Sequence, residues 1–185
     1  MKKLIVFYLL FMSFFFQVMA QDKSYDLLQA MYCKDLAHVH MLIQAGADVN
    51  MQDQDGWTPL MYAAIHGDSQ CIQFLVDHGA QLNVQNIFGD TAFMLAIQQE
   101  NMKAIYALIE SDVNIDLQDM YGCTALMTAV AYNNFACVKL LIEHGAKLHV
   151  KDSGGWTALM LAEHQGHTKI AELLKAAQLQ SWYEL

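Results

Sequence analysis

Arginine is absent, serine is sparse and no Asn-x-Ser/Thr sequon occurs in this 185-residue chain. Ten lysines stand against 19 carboxylates, for a formal net charge of −9. Without a guanidinium fork or a basic face there is nothing to neutralise phosphates, so nucleic acid is excluded as a partner. The serines are Ser13, Ser24, Ser69, Ser111, Ser153 and Ser181, and none stands in the strained elbow that exposes a nucleophile. Gly154-Gly155 lacks the following lysine of a phosphate-binding loop. No catalytic residue, no cofactor and no enzymatic activity are expected.

The chain begins with Met1-Lys2-Lys3, runs through apolar residues from Leu4 to Phe16 and reaches the small-residue ending Val18-Met19-Ala20. That order is the pattern of a secretory signal peptide over residues 1–20, with cleavage expected after Ala20. The apolar run falls short of the roughly 20 residues that span a bilayer, so no membrane association is expected after cleavage. No cysteine follows closely enough for a lipid anchor. The lysine-led start and the missing sequons favour a bacterial chain, periplasmic or secreted. Loss of Lys2 and Lys3 takes the net charge from −9 to −11. That acidity either solvates the surface or steers a basic partner toward it.

Beyond the leader, four glycines stand 33 residues apart, Gly56, Gly89, Gly122 and Gly155, and each opens the same phrase. Leu75, Leu108, Leu141 and Leu174 keep the step, as do Ala63, Ala96, Ala129 and Ala162. A fixed period of this size means a solenoid whose units bury their apolar faces only by stacking. Within a unit, Thr58, Thr91, Thr124 and Thr157 sit where helix N-caps belong, and Pro59 falls at a first helical position. A second apolar helix follows, as in Cys71–Val76 and Cys137–Ile142, and ends at Gly79 or Gly145.

The phrases TPLMYA at 58–63, TAFMLA at 91–96, TALMTA at 124–129 and TALMLA at 157–162 closely resemble the Thr-Pro-Leu-His-x-Ala signature of the ankyrin repeat. Gly46-Ala-Asp-Val-Asn50 is similar to that family's repeat ending and carries the register into a degenerate first unit. The resemblance implies an all-α repeat solenoid with projecting hairpin fingers. It implies five helix-turn-helix units, at about 21–52, 53–85, 86–118, 119–151 and 152–185, filling residues 21–185.

Two departures stand out. Met61, Met94, Met127 and Met160 replace the family's usual histidine, which trades inter-unit hydrogen bonds for adaptable apolar packing. Glu100 replaces the turn glycine seen at Gly67 and Gly166, and Asp112 replaces the C-cap glycine. Side chains tolerate the left-handed backbone at a cost, so the third unit is expected to be the loosest of the inner ones.

Four cysteines in an exported chain invite disulfides. Cys71 and Cys137 lie two units apart, about 20 Å at helix-packing distances, whereas a disulfide needs alpha carbons within about 7 Å. Both are expected to be small core residues. Cys33 and Cys123 are the candidates for exposed thiols. The eight histidines offer no convergent set, so no metal site is expected.

In the ankyrin architecture the finger residues and the ends of the first helices line a concave, partner-contacting surface. Carried over to this chain, those positions include Trp57, Ile65, His66, Ile87, Phe88, Asp90, Met120, Tyr121, Tyr132 and Trp156. Paired apolar residues at solvated turns, Ile87-Phe88 and Met120-Tyr121, point to a binding strip. For Trp57 and Trp156 a second reading stays open, in which the indoles pack on the adjacent finger. The resemblance thus implies a monomeric, non-enzymatic protein-binding module with an immunity-like or enzyme-supporting role. The alternatives are a thiol redox sensor using Cys33 or Cys123, and a secreted effector directed at a host.

Overall fold

The computed structural model describes residues 23–183, with side chains through 179. The expected leader and its cleavage point lie outside the described residues. Helices α1 (23–32), α2 (Leu36–Gln44), α3 (Pro59–His66), α4 (Ser69–Asp77) and α5 (Ala92–Gln98) open the chain. They are followed by α6 (Met102–Ile109), α7 (Ala125–Ala131), α8 (Phe135–Glu143), α9 (Ala158–His164) and α10 (Thr168–Tyr183). Each expected unit contributes one pair, and no strand occurs among the described residues.

The helices start where the threonines are. The hydroxyls of Thr58, Thr91, Thr124 and Thr157 accept from the amides of Met61, Met94, Met127 and Met160 at 3.2–3.4 Å. Each bond satisfies one of the donors orphaned at a helix start. The second helices are capped by Asp35, Asp68 and Asn134, which accept from His38, Cys71 and Cys137. At their far ends His78 and His144 bring Nδ1 back to the carbonyls of Phe74 and Leu140, at 2.8 and 2.9 Å. These two histidines cap helix ends rather than gather around an ion.

The pairs stack in two layers. In the inner layer α3 packs on α5, α5 on α7 and α7 on α9; in the outer layer α4 packs on α6 and α8 on α10. Leu75, Leu108, Leu141 and Leu174 are completely buried at the seam between layers, and Ala63, Ala96, Ala129 and Ala162 are at most 1% exposed. The alanines let the inner and outer helices approach closely. Met61, Met94 and Met127 are buried, whereas Met160 is 46% exposed because the described chain places no further inner helix upon α9. The same residue type is thus core or surface according to whether a neighbour stacks on it.

Cys71 and Cys137 are buried, and burial pushes both thiols up to about 12, with Asp68 adding to the shift at Cys71. All four cysteines are free thiols.

Glu100 and Asp112 do hold the left-handed conformation, with φ of 52° and 63°. Lys34, two units before Glu100, and Asn133, one unit after it, share its geometry at 60° and 51°. The strain at the turn is therefore not peculiar to the third unit. What distinguishes that unit is Asp112 and the N-cap of α6, where Asn101 makes no side-chain cap bond. The Asn101 amide lies instead against Gly67, where any Cβ would collide with it.

Candidate functional site

The fingers are built from a second repeat that runs through polar residues. Asp53, Asn86, Asp119 and Asp152 stand 33 apart, and each Oδ1 accepts from the amides two and four residues on, at 2.8–2.9 Å. One side chain thereby folds each hairpin. Between hairpins a backbone ladder runs from Ile87 N–H to Asp55 C=O, from Met120 N–H to Phe88 C=O and from Ser153 N–H to Tyr121 C=O, at 2.8–3.0 Å. Gln85 Nε2 donates to the carbonyls of both Gly89 and Gln118, and Gln118 Nε2 to those of Gly122 and Lys151. The fingers form one braced row.

That brace decides what the strip looks like. The Phe88–Met120 rung sets neighbouring tips side by side, leaving Ile87 58%, Phe88 48%, Met120 56% and Tyr121 65% exposed. Four large apolar side chains therefore meet solvent on a backbone that cannot easily turn them inward. Asp90 is half-buried beside them, its carboxylate accepting from Gln98 Nε2 at 3.0 Å. Burial, reinforced by the charge of Asp119, pushes its carboxyl above the ordinary range.

The remaining expected residues divide. Tyr132, at the end of α7, is exposed. Ile65 is half-buried against the core, and His66 Nε2 lies 3.1 Å from the Met31 carbonyl, so this imidazole ties the first two units together. Burial, with help from Lys34, lowers its pKa. Both tryptophans meet an aromatic ring of their own unit. Trp57 packs on Tyr62 of its own unit at 5.4 Å, and Trp156 meets His164 of its own unit at 5.1 Å, still 38% exposed.

A further cluster escaped the sequence reading. Tyr25 and Tyr32 of α1 project with Tyr62 of α3 around Asp53, whose Oδ2 accepts from the Tyr62 hydroxyl at 2.8 Å. A signal for it existed, because Tyr32 stands 33 residues before Ile65 and so belongs to the helix-end register.

Cys123, a candidate reactive thiol, is half-buried beside Asp119 and Asp152. Burial first, then those two charges, push it up to about 11, opposite to what a nucleophilic thiol needs. Cys33 is exposed and accepts from Gln29 Nε2 at 3.6 Å. Among the described residues no group of three or more His, Cys, Asp or Glu converges as a metal would require, and no helix is long and apolar enough to cross a membrane.

No curated protein matches the chain. Against protein families, residues 27–119 and 101–181 match ankyrin repeats (3 copies), two overlapping segments that together run from Leu27 to Ser181. Repeats of this kind generally mediate protein–protein interaction and are typically non-enzymatic. With stacked helix pairs, a braced finger row and a family match over most of its length, the chain belongs to the ankyrin-repeat family.

Proposed function

We propose that this protein binds another protein through the finger row and the adjoining ends of the inner helices, and does no chemistry of its own. The observation that carries the reading is the strip of Ile87, Phe88, Met120 and Tyr121, held outward by the ladder rung between Phe88 and Met120. Aromatic side chains presented on a rigid frame lose little entropy on binding and serve as energetic anchors. The acidic balance of the chain, −9 overall, favours a basic partner and faster encounter with it. The pattern of residues 1–20 supports export to the periplasm or beyond, with a monomer as the working unit.

The test is Phe88→Ala combined with Tyr121→Ala, compared with the parent for affinity toward the protein it captures from a periplasmic extract. Phe88 is about half exposed and Tyr121 largely so, and neither belongs to the buried core, so the melting temperature should hardly move. Binding should weaken by about 2 kcal/mol or more, a hot-spot loss. A fall in stability of about 3–5 kcal/mol would instead mark the rings as internal braces. Unchanged affinity would move the interface elsewhere, to the acidic outer helices.

A further inference from the structure

One concavity of the inner layer is aromatic and acidic at once. It lies where α1 meets α3 and the Asp53 finger, has a volume of about 240 Å3, and is lined by Tyr25, Tyr32 and Tyr62 with Leu28, Gln29 and Asp53. Tyr32 and Tyr62 stand as two walls of a corner, 6.3 Å between ring centroids and 86° between planes. Trp57 backs Tyr62 at 5.4 Å. Tyr25 and Tyr32 are 65% and 68% exposed, large rings left in water at the rim. No lysine lines the cavity, and the nearby Lys23 is directed to the Ala45 carbonyl.

The electrostatics point one way. Aromatic faces attract cations and do nothing for anions. The Tyr62 hydroxyl donates to Asp53 Oδ2, and that bond pushes electron density into the ring, deepening the attraction of its face. Burial first, then the bond and charge of Asp53, hold the Tyr62 proton well above the usual phenol range, so the donor persists at every physiological pH. Asp55 adds a second exposed negative charge near the same ring. A planar guanidinium is best served by lying parallel to one ring, whereas walls near a right angle enclose a compact charge from two sides. Leu28 offers apolar surface for an alkyl stem.

We infer that the corner formed by Tyr25, Tyr32, Tyr62 and Asp53 is a receptor for an ammonium group, presented on a lysine side chain of the protein partner. The inference rests on the protein-binding reading above for the source of the lysine, but its chemistry can be tested without any partner. The full folded chain is titrated, at constant ionic strength, with a Gly-Ser peptide carrying one lysine, while the tyrosine ring and Trp57 indole resonances are followed by NMR. The same peptide with ε-acetyl-lysine, and with arginine, serves as control.

Saturable shifts at Tyr25, Tyr32, Tyr62 and Trp57 are expected with the lysine peptide and not with its acetylated form. Tyr25→Ala with Tyr32→Ala should weaken that binding about tenfold or more, with no change in melting temperature because both rings are exposed. Equal binding of the acetylated peptide would overturn the inference in favour of an apolar groove, and tighter binding of arginine would overturn the choice of cation. Absence of saturation would remove the site. Because the titration uses no partner, its failure is distinct from failure of the finger-strip test, which reads partner affinity at Phe88 and Tyr121.

Discussion

Alanine placed at each of the four finger glycines separates backbone strain from finger packing. Gly56, Gly89, Gly122 and Gly155 share a φ between 77° and 83°, so an alanine at any of them carries the same left-handed cost, about 1–2 kcal/mol. Their surroundings differ. A Cβ at Gly155 would meet nothing within 4 Å. At Gly56 it would stand 3.0 Å from Asn86 Cα, at Gly122 2.8 Å from Ser153 N, and at Gly89 2.6 Å from Met120 N with Asp119 C and Cα at 2.8 Å. These neighbours are backbone of the next finger, which can yield only by moving away. At Gly89 that motion breaks the Met120 N–H to Phe88 C=O rung and disturbs the Gln85 bridge to Gly89 and Gln118. Loss of two such bonds adds about 1–3 kcal/mol to the strain. Gly155→Ala should therefore cost about 1–2 kcal/mol and Gly89→Ala about 2–5 kcal/mol. For a chain of this size that is a melting shift of roughly 2–8 °C against roughly 4–20 °C. Thermal and urea unfolding of the four variants should rank them Gly89, Gly122, Gly56, Gly155 from most to least damaged. A Gly155→Ala protein as destabilised as Gly89→Ala would refute the claim that contact between fingers, beyond left-handed strain, sets the cost.

Three other outcomes follow from the same geometry. Burial keeps the His66 pKa below its ordinary value, so the folded state favours the neutral ring. Its contribution is present above the ordinary histidine range and lost as pH falls through the lowered folded value; melting should drop as pH falls through and below the ordinary histidine range, and His66→Gln should flatten that drop. An unchanged slope in the variant would assign the pH dependence to other groups. With a thiol reagent, Cys33 should react first, Cys123 more slowly because its thiol sits near 11, and Cys71 and Cys137 only on unfolding; rapid labelling of Cys123 would count against the carboxylate cluster around it. Ile170, Ala171 and Leu174 of α10 are buried on α8 and α9, so a chain ending near Asp152 should aggregate or lose cooperative unfolding. Unchanged solubility and melting would show that the last unit stabilises nothing beyond itself.

The helix pairs were legible because their determinants are local. A threonine that caps, a proline at the first helical position and an apolar spacing of three and four residues act over one or two turns, and the 33-residue period multiplies the signal. The finger frame was less legible. Asp53, Asn86, Asp119 and Asp152 keep the same period, yet their work is a pair of bonds to amides two and four residues on, which polar residues in a loop do not announce. Lys34 and Asn133 stand in the same 33-residue register as Glu100, so their shared left-handed geometry was legible in the sequence as well.

By itself, then, the sequence determined the repeat, its phase, the helix starts and the apolar positions, all properties of short segments repeated along the chain. Only the stacked structure decided which copy of an equivalent residue is covered. Met94 is core and Met160 is surface, and Trp57 turns to Tyr62 whereas Trp156 turns to His164. Only the stack brought Tyr25, Tyr32 and Tyr62 around Asp53, and only the ladder between hairpins set Phe88 beside Met120. The physical reason is that burial and charge environment are pairwise quantities between units, and a period gives every unit the same internal pattern while leaving each with different neighbours.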